Sequence, residues 1–238
     1  MRVNFLTLFL LLIVVTANCQ LTLSVQAGSN LTTAHVVQTN NYGDYKIRAG
    51  WQAALNIKYS FATHWFGYSG AGVDKKSIFN QKTNYDNQYI SYKPLFVTLP
   101  IGIGYSLAET KNLSLNFYTG LYGSIGLGGK YLMRQASWMS QPNLCDLVAC
   151  PESFDEINRH IHFGNSSASG NDLRRANWGA QFGVGLSAWR RFEIACMYNW
   201  GLSNILPSDT PGEKLYLRSL NIDVKMNIKT FKQPNKNK

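Results

Sequence analysis

The sequence lacks a long apolar segment that could cross a membrane as a helix. Beyond residue 19, none of the 238-residue sequence forms a run of 18 apolar residues. A transmembrane helix needs about 20 such residues to span a hydrocarbon core of about 30 Å. The sequence therefore excludes membrane spans made of helices.

Recognisable catalytic motifs are also missing. No serine lies in a Gly-x-Ser-x-Gly elbow, and the glycine-rich segment 126–129 precedes no helical pattern. His160 and His162 lie near Asp155 and Glu156, but two histidines without a fixed third ligand do not define a zinc site. We predict no enzyme activity, no cofactor and no metal. An acyl hydrolase with its site at a barrel rim remains an alternative.

Acidic residues are few, with 13 Asp and Glu against 23 Lys and Arg, for a net charge of +10. Such an excess can indicate nucleic-acid binding. Here the basic residues do not cluster on one helix, and part of the excess is terminal, so we predict no nucleic-acid partner. Residues 232–238 are predicted to be a disordered basic tail. The terminal lysines are Lys225, Lys229, Lys232, Lys236 and Lys238.

The N-terminus has the pattern of an export signal. A short basic start precedes residues 5–17, which are apolar apart from two threonines. Thirteen helical residues rise only about 20 Å, too little for a membrane span. Ala17 and Cys19 suit the −3 and −1 positions of a cleavage site, which predicts a signal peptide over 1–19 and a mature chain from Gln20. The alternative is a lipoprotein that is acylated on Cys19.

Cysteine is scarce, and cleavage would leave three. Cys145 and Cys150 lie five apart in a polar region, where an oxidising compartment could close them into a small loop. Two free thiols are the other interpretation. Cys196 lies in a strand pattern, where we expect a small hydrophobic residue.

The dominant pattern that is present is alternation with period two. In 48–60, Trp51, Leu55 and Ile57 alternate with Gln52 and Asn56. Successive strand side chains point to opposite faces, so one face is apolar and the other polar or small. The weakest of these segments is 64–75. Eight segments are predicted as strands: 21–31, 48–60, 64–75, 93–106, 113–127, 177–188, 192–203 and 217–228.

The connections between these segments alternate in length. Those near 61–64, 107–112 and 189–191 are short, whereas 32–47, 76–90, 129–176 and 204–216 are longer. Outer-membrane barrels have short periplasmic turns and long extracellular loops. The sequence therefore predicts an all-β fold, an eight-stranded antiparallel up-and-down transmembrane β-barrel over 20–231, located in the bacterial outer membrane with both termini periplasmic.

A soluble barrel of the lipocalin type has the same period with its faces reversed. The polar face here is rich in Gly, Ser, Asn and Gln, which suits a narrow lumen. The opposite face holds bulky Leu, Ile, Phe and Trp, too large in volume for a small barrel interior. Aromatic residues also gather near strand ends, as at lipid–water boundaries. These residues include Tyr59, Trp65, Tyr105, Trp189 and Trp200. Together these features favour the membrane barrel. Pro94 and Pro100 predict a bulge or local break in their strand.

Four segments resemble the PorT-like outer-membrane β-barrel family of Bacteroidota. They are 96–105, with Pro100 ahead of apolar residues, 115–123, 178–185, and 198–204, which reads Tyr-Asn-Trp-Gly-Leu-Ser-Asn. The resemblance covers about 21–231 and implies an outer-membrane barrel without catalytic residues. One departure is that Phe231 is followed by seven further residues, whereas such barrels commonly end on an aromatic residue.

Four charged residues are predicted on the lumen face at a similar height: Lys58, Glu193, Asp223 and Lys225. Unpaired buried charges are costly, so two acids and two bases in a narrow lumen favour a salt-bridged plug near the periplasmic side. Separate solvated charges in a water-filled lumen are the alternative.

The long segment 129–176 is the candidate for external contacts, because loops on a rigid scaffold often carry recognition. We predict a monomeric barrel in outer-membrane lipid, with a structural or interaction role and a possible protein partner at this segment. It could be accessory to a secretion or envelope complex. A small passive pore is the second functional class.

Overall fold

A computed structural model describes most of the chain that follows the predicted signal peptide. In this described part, no helix is long and apolar enough to cross a membrane. The predicted signal peptide, the basic tail and the pair Cys145 and Cys150 lie outside it. The described ranges are 20–37, 44–81, 88–110, 112–136, 154–167, 170–189, 191–207 and 214–231.

Eleven strands make up the described secondary structure. They are β1 (Gln20–Val37), β2 (Asp44–Lys46), β3 (Arg48–Ser60), β4 (Trp65–Lys75), β5 (Ile78–Gln81), β6 (Tyr89–Glu109), β7 (Leu113–Ala136), β8 (Phe154–His160), β9 (Ala176–Ala188), β10 (Phe192–Gly201) and β11 (Lys214–Phe231).

Eight of these strands form a closed antiparallel ring. Hydrogen-bonded neighbours run in the order β1, β3, β4, β6, β7, β9, β10 and β11, and β11 pairs again with β1. Leu21 lies opposite Phe231, so the start of β1 lies beside the end of β11. The predicted eight-stranded barrel is confirmed, including the segment with the weakest pattern, which forms β4.

The short connections lie at one end of the barrel, which we call the turn side. Thr110 N–H donates to Leu113 O at 2.8 Å across the β6–β7 turn, and Trp189 adopts a φ of 49° between β9 and β10. The opposite end is the loop side. There the predicted strands are too short, because β1 and β7 end later, and β6 and β11 begin earlier, than the sequence analysis places them.

Three further strands lengthen the wall on the loop side. β5 pairs with β6, β2 pairs with β5, and β8 pairs with β7. The prediction of 129–176 as one long loop is therefore wrong in part, since this segment includes the end of β7 and all of β8. We call this loop-side extension the head.

The two barrel faces have the predicted polarity. Trp51, Leu55, Phe117 and Phe182 are each more than two fifths exposed on the outside, whereas Asn116 is fully buried inside. Packing these bulky residues against lipid and small polar ones in the lumen is the arrangement of a membrane barrel. Cys196 is half-buried and free.

The prolines of β6 disturb its pairing without ending it. The β6–β7 register shifts between Leu95 and Phe96, next to Pro94. The β4–β6 ladder has no paired residues between Ser69–Ile101 and Gly72–Thr98, which brackets Pro100. The missing N–H groups of proline account for both irregularities.

Candidate functional site in the barrel lumen

The lumen is closed near the turn side by a floor of aromatic rings. Phe66 and Tyr68 point inward from β4 and meet Tyr118 of β7, with ring centroids 5.4 and 5.3 Å apart. Phe66 lies against Gly104, where any Cβ would collide with its ring. The small residues of neighbouring strands therefore make room for the rings.

Side chains of three other strands contact the carboxylate of Glu193 beside this floor. Lys225 Nζ lies 3.0 Å from its Oε1, and the Tyr118 hydroxyl donates to the same oxygen at 2.5 Å. Asn116 Nδ2 and Ser187 Oγ donate to Oε2 at 3.0 and 2.9 Å. The carboxylate thus joins β7, β9, β10 and β11 across the barrel interior.

The four predicted lumen charges divide into three arrangements. Glu193 and Lys225 lie opposite each other in the β10–β11 ladder and form the ion pair. Lys58 places its ammonium 3.7 Å from the centre of the Phe66 ring. Asp223 accepts a hydrogen bond from Gln52 Nε2 at 2.5 Å and is fully buried. All four line the same central cavity of about 100 Å³.

A second ion pair lies deeper in the lumen, toward the loop side. Lys76 Nζ and Asp74 Oδ2 are 3.3 Å apart, and both side chains are almost completely buried. Asn30 Nδ2 donates to the other carboxylate oxygen at 2.6 Å. Sequence analysis missed this pair because Lys76 was assigned to a loop. The polar position of Asp74 in β4 was the one available signal.

An apolar cap closes the loop-side mouth inside the head. Phe163 packs over Gly126 and faces Phe96 at 6.0 Å between ring centroids. Arg159 and Asp172 form a bidentate ion pair of 2.7 and 2.6 Å that holds the returning segment 170–175 against β8. Buried members of the cap are Ala34, Ile78, Phe96, Tyr131, Ile161, Leu173, Ile205, Leu215 and Leu217.

A wider vestibule of about 600 Å³ lies below the floor on the turn side. Lys58, His64 and Glu193 line it together with several hydroxyl side chains. Among the described residues, no group of three or more His, Cys, Asp or Glu is arranged to hold a metal ion. His160 and His162 belong to the exposed surface of the head.

The lumen therefore consists of a vestibule, a floor, a small polar cavity and an apolar cap in series. Dense hydrogen bonding around buried charges stabilises such an interior only when the charges are paired. The arrangement can hold the wall strands together and block passage of solutes.

Solved structures of several bacterial outer-membrane proteins resemble the chain at low identity. OprG from Pseudomonas aeruginosa is 11% identical, with 91% of this chain and 97% of that chain covered and a TM-score of 0.46. Neisserial surface protein A is 10% identical, covering 86% and 96%, with a TM-score of 0.40. Ail of Yersinia pestis, solved with the heparin analogue sucrose octasulfate, is 12% identical, covering 88% and 99%, with a TM-score of 0.36.

No curated protein matches the sequence significantly. A family model does match, over residues 16–206, which is most of the chain. With its closed eight-strand ring and apolar outer face, the chain belongs to the family described as outer membrane protein beta-barrel domain.

Proposed function

We propose that this protein is a non-conducting, monomeric outer-membrane barrel that holds a folded head at the cell surface as a binding platform. The observation that carries the proposal is the combination of an occluded lumen with a head that has its own apolar core. A pore needs a continuous water path, whereas a platform needs a rigid support.

Occlusion occurs at two separate levels. Phe66 is 1% exposed in the floor, and Phe96 and Leu173 are completely buried in the cap. Between them the central cavity has room for only a few water molecules at about 100 Å³. This favours a structural or interaction role over a passive pore.

The exposed apolar residues of the head support a binding role. β8 extends the sheet beyond the apolar band and exposes Ile157, while Val37 and Ile47 are also about half exposed or more. Recognition commonly uses loops and edges that a rigid scaffold positions. An accessory role in a secretion or envelope complex would use this surface.

We further propose that the turn side faces the periplasm. Its connections are short. The first ring strand begins there at Gln20, and the last ring strand ends there at Phe231. Barrels of the outer membrane have short periplasmic turns and longer extracellular loops. The head then faces outward from the cell.

The first test is ion conductance of the purified protein in planar bilayers. We expect no steady channel openings, and a reproducible open-channel current at physiological salt would refute the occluded barrel. Heat-modifiable gel migration checks that the inserted protein is folded.

The second test is photo-crosslinking in the native membrane, with a photoreactive residue at Ile157 or, as a matched control, at Leu121 in the apolar band. Both positions are exposed and apolar. We expect protein adducts at Ile157 and lipid adducts at Leu121. Lipid adducts at both positions would argue against a binding platform.

A further inference from the structure

Three basic side chains form a row across adjacent strands of the head. Lys93 of β6 lies opposite Lys130 of β7, and Lys130 lies opposite His160 of β8. All three side chains are exposed. Directly opposed residues in an antiparallel sheet have Cβ atoms about 5 Å apart, so the three groups can reach one small ligand.

The row lies where the apolar band ends. Lys93 is two residues from Leu95 on the same face of β6, and Lys130 follows Ile125 and Leu127, which are 51% and 60% exposed. Lys75 of β4 lies opposite Leu95 and beside the outward-facing Trp51. The cations are therefore at headgroup height, directly above side chains that face hydrocarbon.

No acidic partner neutralises the row within the described residues. The ion pairs there are Lys76–Asp74, Arg134–Glu156, Arg159–Asp172 and Lys225–Glu193. β8 carries two acids, Asp155 and Glu156, which lie five and four residues from His160. Asp155 lies opposite Gln135, and Glu156 pairs with Arg134. Like charges that oppose each other directly destabilise a sheet, so an anion between them would be stabilising.

We propose that this row binds the phosphate of a lipid headgroup in the outer leaflet. Lys93 and Lys130 donate to the phosphate oxygens, His160 contributes a ring N–H, and Lys75 lies at the edge of the site. The acyl chains of the same lipid lie along Leu95 and Leu127. The leaflet assignment rests on the proposed orientation of the barrel.

The test is titration of the full mature protein in micelles with diphosphorylated lipid A, followed by native mass spectrometry. Each lysine near an anionic lipid surface contributes about a five-fold gain in binding, so Lys93→Gln with Lys130→Gln should weaken it roughly 25-fold. The matched control removes the same charge elsewhere in the head, with Lys46→Gln and Lys214→Gln. Both control residues are exposed.

We expect the control pair to bind within about two-fold of the wild type, and dephosphorylated lipid A with the same acyl chains to bind as weakly as the Lys93 and Lys130 variant. Equal losses in both variant pairs, or equal affinity for the dephosphorylated lipid, would overturn the phosphate site. So would displacement of bound lipid by inorganic phosphate at a similar concentration, since the site would then bind the free ion. Heat-modifiable migration confirms that each variant is folded.

The orientation is tested separately by an epitope inserted at Gly170, an exposed position of the head. Antibody binding to intact cells is expected. Its absence would refute the orientation alone, because binding in micelles does not depend on which leaflet surrounds the row. Absence of lipid binding with a surface-exposed epitope would refute the lipid site alone.

Discussion

At the scale of single residues, Glu193 is the lumen group whose carboxylate makes contacts with four other side chains. It accepts hydrogen bonds from Tyr118, Asn116 and Ser187 and pairs with Lys225. Removing one partner of a buried ion pair leaves the other charge desolvated and unpaired, which is more costly than losing the contact itself. This residue is therefore the best probe of whether the lumen charges form a plug.

We predict that Glu193→Ala lowers the free energy of unfolding by about 3–5 kcal/mol. Urea unfolding of the folded protein in micelles, followed by tryptophan fluorescence, measures the change. The double variant Glu193→Gln with Lys225→Met should recover much of the loss, because no charge of the pair then remains buried. An unchanged unfolding midpoint for Glu193→Ala would mean that the lumen charges are independently solvated.

At the scale of elements, the segment that follows β8 depends on one glycine of the barrel wall. A Cβ on Gly126 would lie 2.5 Å from the Phe163 ring, whereas a Cβ on Gly123 would meet no atom within 4 Å. The two glycines lie three residues apart in β7, with Gly123 facing outward. They offer a matched pair for testing how the cap is seated.

Gly126→Ala is predicted to displace Phe163 and loosen the segment 161–167, at a cost of about 1–3 kcal/mol for overpacking. Limited proteolysis should cleave this segment faster than in the wild type. Gly123→Ala should leave the cleavage rate unchanged. Equal rates in both variants would show that Phe163 does not depend on the space over Gly126.

At the scale of the whole molecule, the floor and the cap are two barriers in series. The floor is made by Phe66 and Tyr118, and the cap by a separate set of residues that includes Phe163 and Leu173. Current through a tube with two closed constrictions requires that both are opened. The barrel should therefore resist conversion into a channel by changes at one level.

We predict that Phe66→Ala with Tyr118→Ala gives no channel current, and neither does Phe163→Ala with Leu173→Ala. Combining the four changes should produce measurable conductance in planar bilayers. A gel-shift assay checks that each variant is folded. A steady current from either double variant alone would contradict the two-barrier arrangement.

The eight ring strands and the polarity of the barrel faces could be predicted from the sequence alone. Alternation of Trp51, Leu55 and Ile57 with Gln52 and Asn56 is a property of the local chain, because successive side chains of any strand point to opposite sides. The volume of the apolar residues, too large for a narrow interior, then indicated which face is outside. The alternation of short and long connections followed from the same segments.

The groups that close the barrel lumen could not be predicted from the sequence and became visible in the folded structure. In β11, Leu215 and Leu217 point inward on the same face as Ser219 and Asn221, so the lining changes from polar to apolar where the wall leaves the membrane band. Local alternation does not show what these leucines pack against, because their apolar cluster is built from other wall strands, the segment after β8 and Ile205. In the same way, the partners of Glu193 come from strands up to 77 residues away and depend on register and ring closure.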